Sequence, residues 1–199
     1  MNFLGHCLLT QHNPEYISGN LGGDHFKGDL NNFTTLPKNI LNGVKIHRFI
    51  DSFTDNSKEV KAVAALFRKE GIKRVSFIAS DIILDHYISK NWSTFSDKAL
   101  PDFIESIYTL TKQDLIFFPE EFNYIFNHMS THDWLSNYIH LEGIEQTLRN
   151  FERRIPFNNN LLDAYQIYVN HTEQIDQLYM RFMTDIIAAV QSEFNLNLD

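Results

Sequence analysis

The chain of 199 residues is 43% hydrophobic and 21% charged, the composition of a soluble globular protein, and its length supports a single domain over 1–199. One cysteine, Cys7, excludes an intrachain disulfide and fits a reducing cytoplasm. The net charge of −8 argues against general polyanion or nucleic-acid binding, and no stretch approaches the ~18 uninterrupted apolar residues of a membrane span.

Phe3, Leu4 and Leu8 suggest a short amphipathic helix over 2–12; with no Lys or Arg ahead of its apolar run, this start does not read as a signal peptide. His6 falls within it, where a lone histidine is more often a hydrogen-bonded core residue than a ligand. Asn13-Pro14 ends the run. Ile17 to Asp29 carries Gly19, Gly22, Gly23 and Gly28, and reads either as a turn-rich connector or as an irregular segment that presents Asp24 to a ligand. Pro37 is placed to open a helix reaching about Phe53, Thr54 to Ser57 supplies capping residues for the next at 58–70, and Gly71 ends that one. A long apolar helix follows over about 73–92. The second half reads as helices over 101–116, 120–129, 132–153 and 160–194, with no period-2 strand pattern. His132-Asp133 then falls at a helix start, in a capping or surface role. The expected class is all-α, a compact bundle whose core draws on 17 Phe and 8 Tyr.

Two of these helices carry ionisable residues four apart, which stand one above the other on a helix face. His47 and Asp51 form one such pair, Asp81 and Asp85 the other. Laid side by side, the helices would join imidazole and carboxylates in a polar seam suited to a first-row divalent cation such as manganese. The rival reading of each pair is an exposed face or a capped helix end. The carboxylates at 81 and 85 favour a site, because in so apolar a helix they are costly unless paired or metal-bound.

Charge is unevenly spread. Residues 27–74 hold ten Lys or Arg against five acids, whereas the remainder holds seven against twenty. A basic section on an acidic protein fits an acidic partner meeting one surface, or else a solvated helix face.

MNFLGH at the start, SGNLGGDHFKG at 18–28, IHRFIDSFTDN at 46–56 and SDIILDHYISKNW at 80–92 together resemble the acyl carrier protein phosphodiesterases. That resemblance implies hydrolysis of holo-acyl carrier protein to the apo form and 4′-phosphopantetheine. It also implies an all-helical fold related to the HD-domain phosphohydrolases, working with manganese or with Mg2+, Fe2+ or Co2+. Carried onto matching positions, the site is Asp24, His47, Asp51, Asp81, Asp85 and His86, with His6 and Arg48 nearby. In this reading Asp24, His47, Asp51 and Asp81 hold the ion, and Asp85 is a further ligand or orients one. Arg48 binds phosphate oxygens, and His86 or His6 protonates the departing serine oxygen. The acidic carrier docks on residues 27–74. Two departures from the family pattern stand out: Leu8 replaces an often-present second histidine, and Gly22-Gly23 replace bulkier residues, which would loosen the Asp24 loop. The rivals are a metal phosphohydrolase acting on a nucleotide or other small phosphodiester, and a non-catalytic helical module binding an acidic partner.

Overall fold

The computed structural model describes residues 1–196, and among them the chain is all-α, with helices joined by short 3-10 turns and no strand. Helices α1 (Phe3–Leu8) and α2 (Ile17–Leu21) are short. The expected helix over 2–12 stops early, as the amides of Thr10 and Gln11 turn back to the Cys7 and Leu8 carbonyls.

Helix α3 (Lys38–Asn56) follows Pro37, and α4 (Lys58–Lys69) is capped by Ser57, whose hydroxyl accepts from the amides of Glu59 and Val60. Gly71, at φ 113°, ends that helix as expected. Helix α5 (Ser76–Lys90) is buried along almost its whole length and packs against α1, α4, α8 (Leu141–Arg154) and α9 (Ala164–Phe194). It is the axis of the bundle. Helices α6 (Leu100–Asp114) and α7 (Glu120–Thr131) complete the second half, and α9 is kinked at His171. The buried apolar side chains form one continuous cluster drawn from all these helices, with Phe67, Phe103, Phe122, Phe126 and Phe182 among its largest members.

The expected helix over 132–153 starts later than its sequence suggests. Residue 132 caps the C-terminus of α7, Asp133 takes a left-handed φ of 45°, and the next α-helix starts at Leu141. Ser130 and Thr131 belong to the last turn of α7, so they do not cap a new helix. Asp133 is exposed and accepts from the Tyr108 hydroxyl at 3.2 Å, in keeping with a surface role.

Helices α2 and α3 cross with their backbones almost touching. A Cβ at Gly19 would lie 2.1 Å from the Ile40 carbonyl oxygen, and one at Gly43 would lie 2.4 Å from that of Tyr16. Backbone cannot yield as a flexible side chain does. Gly43→Ala is therefore expected to cost about 2–3 kcal/mol, read as a lower melting temperature by circular dichroism.

Candidate metal centre

Helices α1 and α3, both packed on α2, bring three ionisable side chains together. On α3, His47 and Asp51 lie one turn apart, with His47 Nε2 at 3.1 Å from Asp51 Oδ2. His6 comes in from α1, stacked on the His47 ring at 4.2 Å between centroids, with its own Nε2 at 3.1 Å from Asp51 Oδ1. Their ligand-capable atoms all lie within 4.8 Å of one another.

Asn20, on α2, fixes how both rings present themselves. Its Nδ2 donates to the His6 carbonyl at 2.6 Å, so its Oδ1 is the atom facing His6 Nδ1, 3.0 Å away. An amide oxygen only accepts, so His6 carries its proton on Nδ1. The backbone carbonyl of Asn20 accepts from His47 Nδ1 at 2.7 Å and sets the same tautomer there. In the neutral form of each ring Nε2 is then a lone pair. Both are buried, and neither makes a hydrogen bond, although Asp51 oxygens lie 3.1 Å from each. With both rings neutral, two imidazole lone pairs would face a carboxylate; a proton on His47 relieves that, and a divalent cation among the three groups would relieve it as well. The donor set fits a first-row divalent metal.

Charge at the site agrees. Burial opposes ionisation of Asp51, but His47 and His6 outweigh it and hold the carboxyl well below the usual carboxylate range. Burial likewise lowers His47, yet Asp24 and Asp51 raise it to about 9. Carboxylates that attract a proton this strongly would attract a metal cation too. Burial, then the neighbouring His47, pushes His6 down to about 4, which keeps that ring neutral and available as a ligand.

Asp24 stands at the mouth. The 3-10 turn Gly23–His25 carries it, with Oδ1 3.6 Å from His47 Nε2 and 3.6 Å from Lys27 Nζ. Its side chain is 71% exposed, and His47 is the leading cause that lowers its carboxyl to about 2. The two glycines before it do not loosen the loop. A Cβ on Gly23 would fall 2.3 Å from His47 Cγ and one on Gly22 2.3 Å from the Phe118 ring, so the pair lets backbone pack directly on both rings. Arg48 Nη2 donates to the Phe26 carbonyl at 2.5 Å and so ties this loop to α3. The expected phosphate-binding guanidinium is thus engaged with backbone.

The remaining sequence candidates lie elsewhere. Asp81 Oδ1 accepts from the Met1 amine at 3.0 Å. Asp85 is fully buried and accepts from the amides of Leu4 and Gly5 at 2.8 and 3.2 Å. These two carboxylates hold down the start of α1 and thereby aim His6. His86 hydrogen-bonds the Tyr138 carbonyl through Nδ1 at 2.7 Å and meets the Tyr168 ring edge-on, neither of which belongs to the cluster. Leu8, at the second-histidine position, is core.

Sequence reasoning missed Asn20. The available signal was a polar residue amid Gly19, Leu21 and Gly22, which burial would force to find partners. Asn20→Leu leaves the buried His6 Nδ1–H unpaired. It is expected to weaken divalent-metal binding by about 10–100-fold, the usual cost of losing an outer hydrogen bond to a ligand, as measured by calorimetric titration with Mn2+.

Comparison with known proteins decides the family. The family model described as acyl carrier protein phosphodiesterase matches residues 1–186. The chain belongs to the acyl carrier protein phosphodiesterase family. Among curated relatives of that name, one from Enterobacter sp. (strain 638) is 30% identical over 183 residues, covering 92% of this chain and 93% of the relative. One from Klebsiella pneumoniae (strain 342) is 29% identical over 194 residues, covering 97% and 99%. One from Escherichia coli O139:H28 is 30% identical over 193 residues, covering 94% and 96%. No solved structure matches the chain. No helix among the described residues is long and apolar enough to cross a membrane.

Proposed function

We propose that the protein hydrolyses the phosphodiester joining 4′-phosphopantetheine to the serine of holo-acyl carrier protein, releasing the apo carrier. The family match over residues 1–186 carries this reading. The unpaired His6 and His47 nitrogens beside Asp51 support the metal dependence that goes with it.

His6, His47 and Asp51 would hold the ion, with Asp24 placed to add a carboxylate from the mouth. Manganese suits this mixed imidazole and carboxylate set, as would Fe2+ or Co2+, whereas Mg2+ favours all-oxygen ligands. When bound, such an ion supplies Lewis-acid stabilisation of phosphoryl charge and activation of water. The chain's own groups orient and shield. Asn20 holds the two rings, Arg48 fixes the Asp24 turn, and the Phe26–Phe118–Phe122 packing behind that turn keeps water from its inner side. Lys27, 81% exposed beside Asp24, is the cation at the mouth and the candidate to meet the phosphate. Lys38 and Lys45 are exposed on the same helix as His47 and Asp51, which supports docking of an acidic carrier along the basic section. Likeness to the HD-domain phosphohydrolases and a cytoplasmic location belong to this reading.

Incubation of the protein with holo-acyl carrier protein and Mn2+, followed by intact mass spectrometry of the carrier, tests it. The expected result is loss of the 4′-phosphopantetheine mass, prevented by chelator. An unchanged carrier with folded, metal-loaded protein would sink the reading. Carrier that binds but stays whole would favour a non-catalytic module, and turnover of a nucleotide diester alone would favour a small-molecule enzyme.

A further inference from the structure

A second concave site lies outside the metal cluster, and the proposed hydrolysis leaves it unused. A cavity of about 380 Å3 opens between the end of α7, the 3-10 turn Ser136–Ile139 and α8. That volume falls within the range of small-molecule sites.

Its lining combines three chemistries. Trp134, Tyr138 and Phe151 supply aromatic wall, Asn137, Gln146 and Asn150 supply amides, Arg154 supplies a guanidinium, and His128 and His132 supply imidazoles. Among the described residues no Asp or Glu lines it, on a chain with 25 acids and 17 bases. A cavity of that character on an acidic protein selects for an anion.

The arrangement is built rather than incidental. Gly143 lines the cavity, and a Cβ there would fall 2.0 Å from the Asn137 carbonyl oxygen, so α8 seats against the turn backbone to backbone. The Asn137 amide nitrogen donates to the His132 and Asp133 carbonyls, which leaves its oxygen as an acceptor. Asn150 Oδ1 accepts from Gln146 Nε2 at 2.8 Å, which leaves the Asn150 amide nitrogen as a donor and the Gln146 oxygen as an acceptor. Donors and acceptors of this kind beside an aromatic wall match the edge of a stacked base. Arg154 lies over the Trp134 ring at 5.5 Å, and the His128 and His132 rings stack at 5.8 Å. The fixed charge therefore stands next to the stacking surface, as a phosphate one sugar away from a base requires.

We propose that this cavity binds a mononucleotide, its base against Phe151 and its phosphate on the Arg154 that Trp134 carries and on the two histidines. The site is independent of the metal cluster and of the proposed hydrolysis.

Calorimetric titration of the full chain with AMP, in chelator so that the metal cluster cannot take the phosphate, tests the proposal. Adenosine, inorganic phosphate and 4′-phosphopantetheine serve as comparators. AMP is expected to bind at least about tenfold more tightly than each of them, because only AMP fills both the stacking wall and the charged end. Arg154→Gln and, separately, the exposed His128→Asn should each weaken AMP by about tenfold with melting temperature unchanged, whereas Asp51→Asn should leave it as it is. Absence of AMP binding overturns the proposal. So does binding that Asp51→Asn abolishes, or that neither Arg154→Gln nor His128→Asn weakens. Equal affinity for 4′-phosphopantetheine overturns the nucleotide assignment, since no ring would then be read.

Discussion

Replacing Asp51 with alanine is expected to abolish both metal binding and carrier hydrolysis while leaving the fold in place. Among the described residues Asp51 is the one carboxylate within 3.1 Å of both imidazole Nε2 atoms, whereas Asp24 approaches His47 alone, at 3.6 Å from the mouth. Metal assistance to a phosphoryl transition state is worth several kcal/mol, and each ~1.4 kcal/mol is a factor of ten, so the loss should be about 1000-fold or more. Stability should change little. The Asp51 side chain is 40% exposed, and its truncation removes no core packing. Single-turnover cleavage of holo-carrier, Mn2+ titration and thermal melting together test this. A variant that cleaves at the wild-type rate would place the reacting centre elsewhere.

The His47–Asp51 pair was legible because both side chains sit on one helix, where a spacing of four fixes their common face. The same spacing in Asp81 and Asp85 promised the same thing, and these residues found other partners. Nothing local to α5 reveals that the start of α1 lies across it and offers amide donors to Asp85 and the Met1 amine to Asp81. Those contacts lie outside what the residue pattern of α5 can show. His6 shows the converse. Within its own six-residue helix it looks like an ordinary core histidine, and only packing against α3 makes it the third member of the cluster. Gly22 and Gly23 misled for a related reason. Glycine signals loop freedom in a sequence, while here it marks ring-to-backbone contact, and that depends on His47 and Phe118 arriving from elsewhere. The helix pattern itself was mostly legible, since caps and apolar periodicity are local. The break after Thr131 was not, because Ser and Thr serve equally in a last turn and before a first one.

Asp85→Ala should be the most destabilising of the site substitutions, and it separates a positioning role from a ligand role. The wild-type carboxylate satisfies the Leu4 and Gly5 amides deep in the core. Truncation strands two buried N–H groups at roughly 1–3 kcal/mol each, so about 3–5 kcal/mol is expected. In a chain of this size that lowers the melting temperature by about 10–15 °C. Asp85→Asn keeps one acceptor but turns an NH2 toward the other amide, and should cost about half as much. Burial pushes the Asp85 carboxyl up to about 7, although the two amides and the Met1 amine oppose the shift. Between the ordinary carboxylate range and that value the native protein holds a proton that the unfolded chain has released. The Asp85 contribution to stability should therefore fall as pH rises through this window, against the opposite contribution of the buried His6, and the difference between wild type and Asp85→Asn isolates it. These melts belong in chelator, where a metal ligand has no ion to hold. If Asp85 were a ligand, Asp85→Ala would lose Mn2+ affinity and melt like wild type there. If it anchors the start of α1, the melt itself drops, and Mn2+ affinity falls as well because His6 is no longer aimed at Asp51.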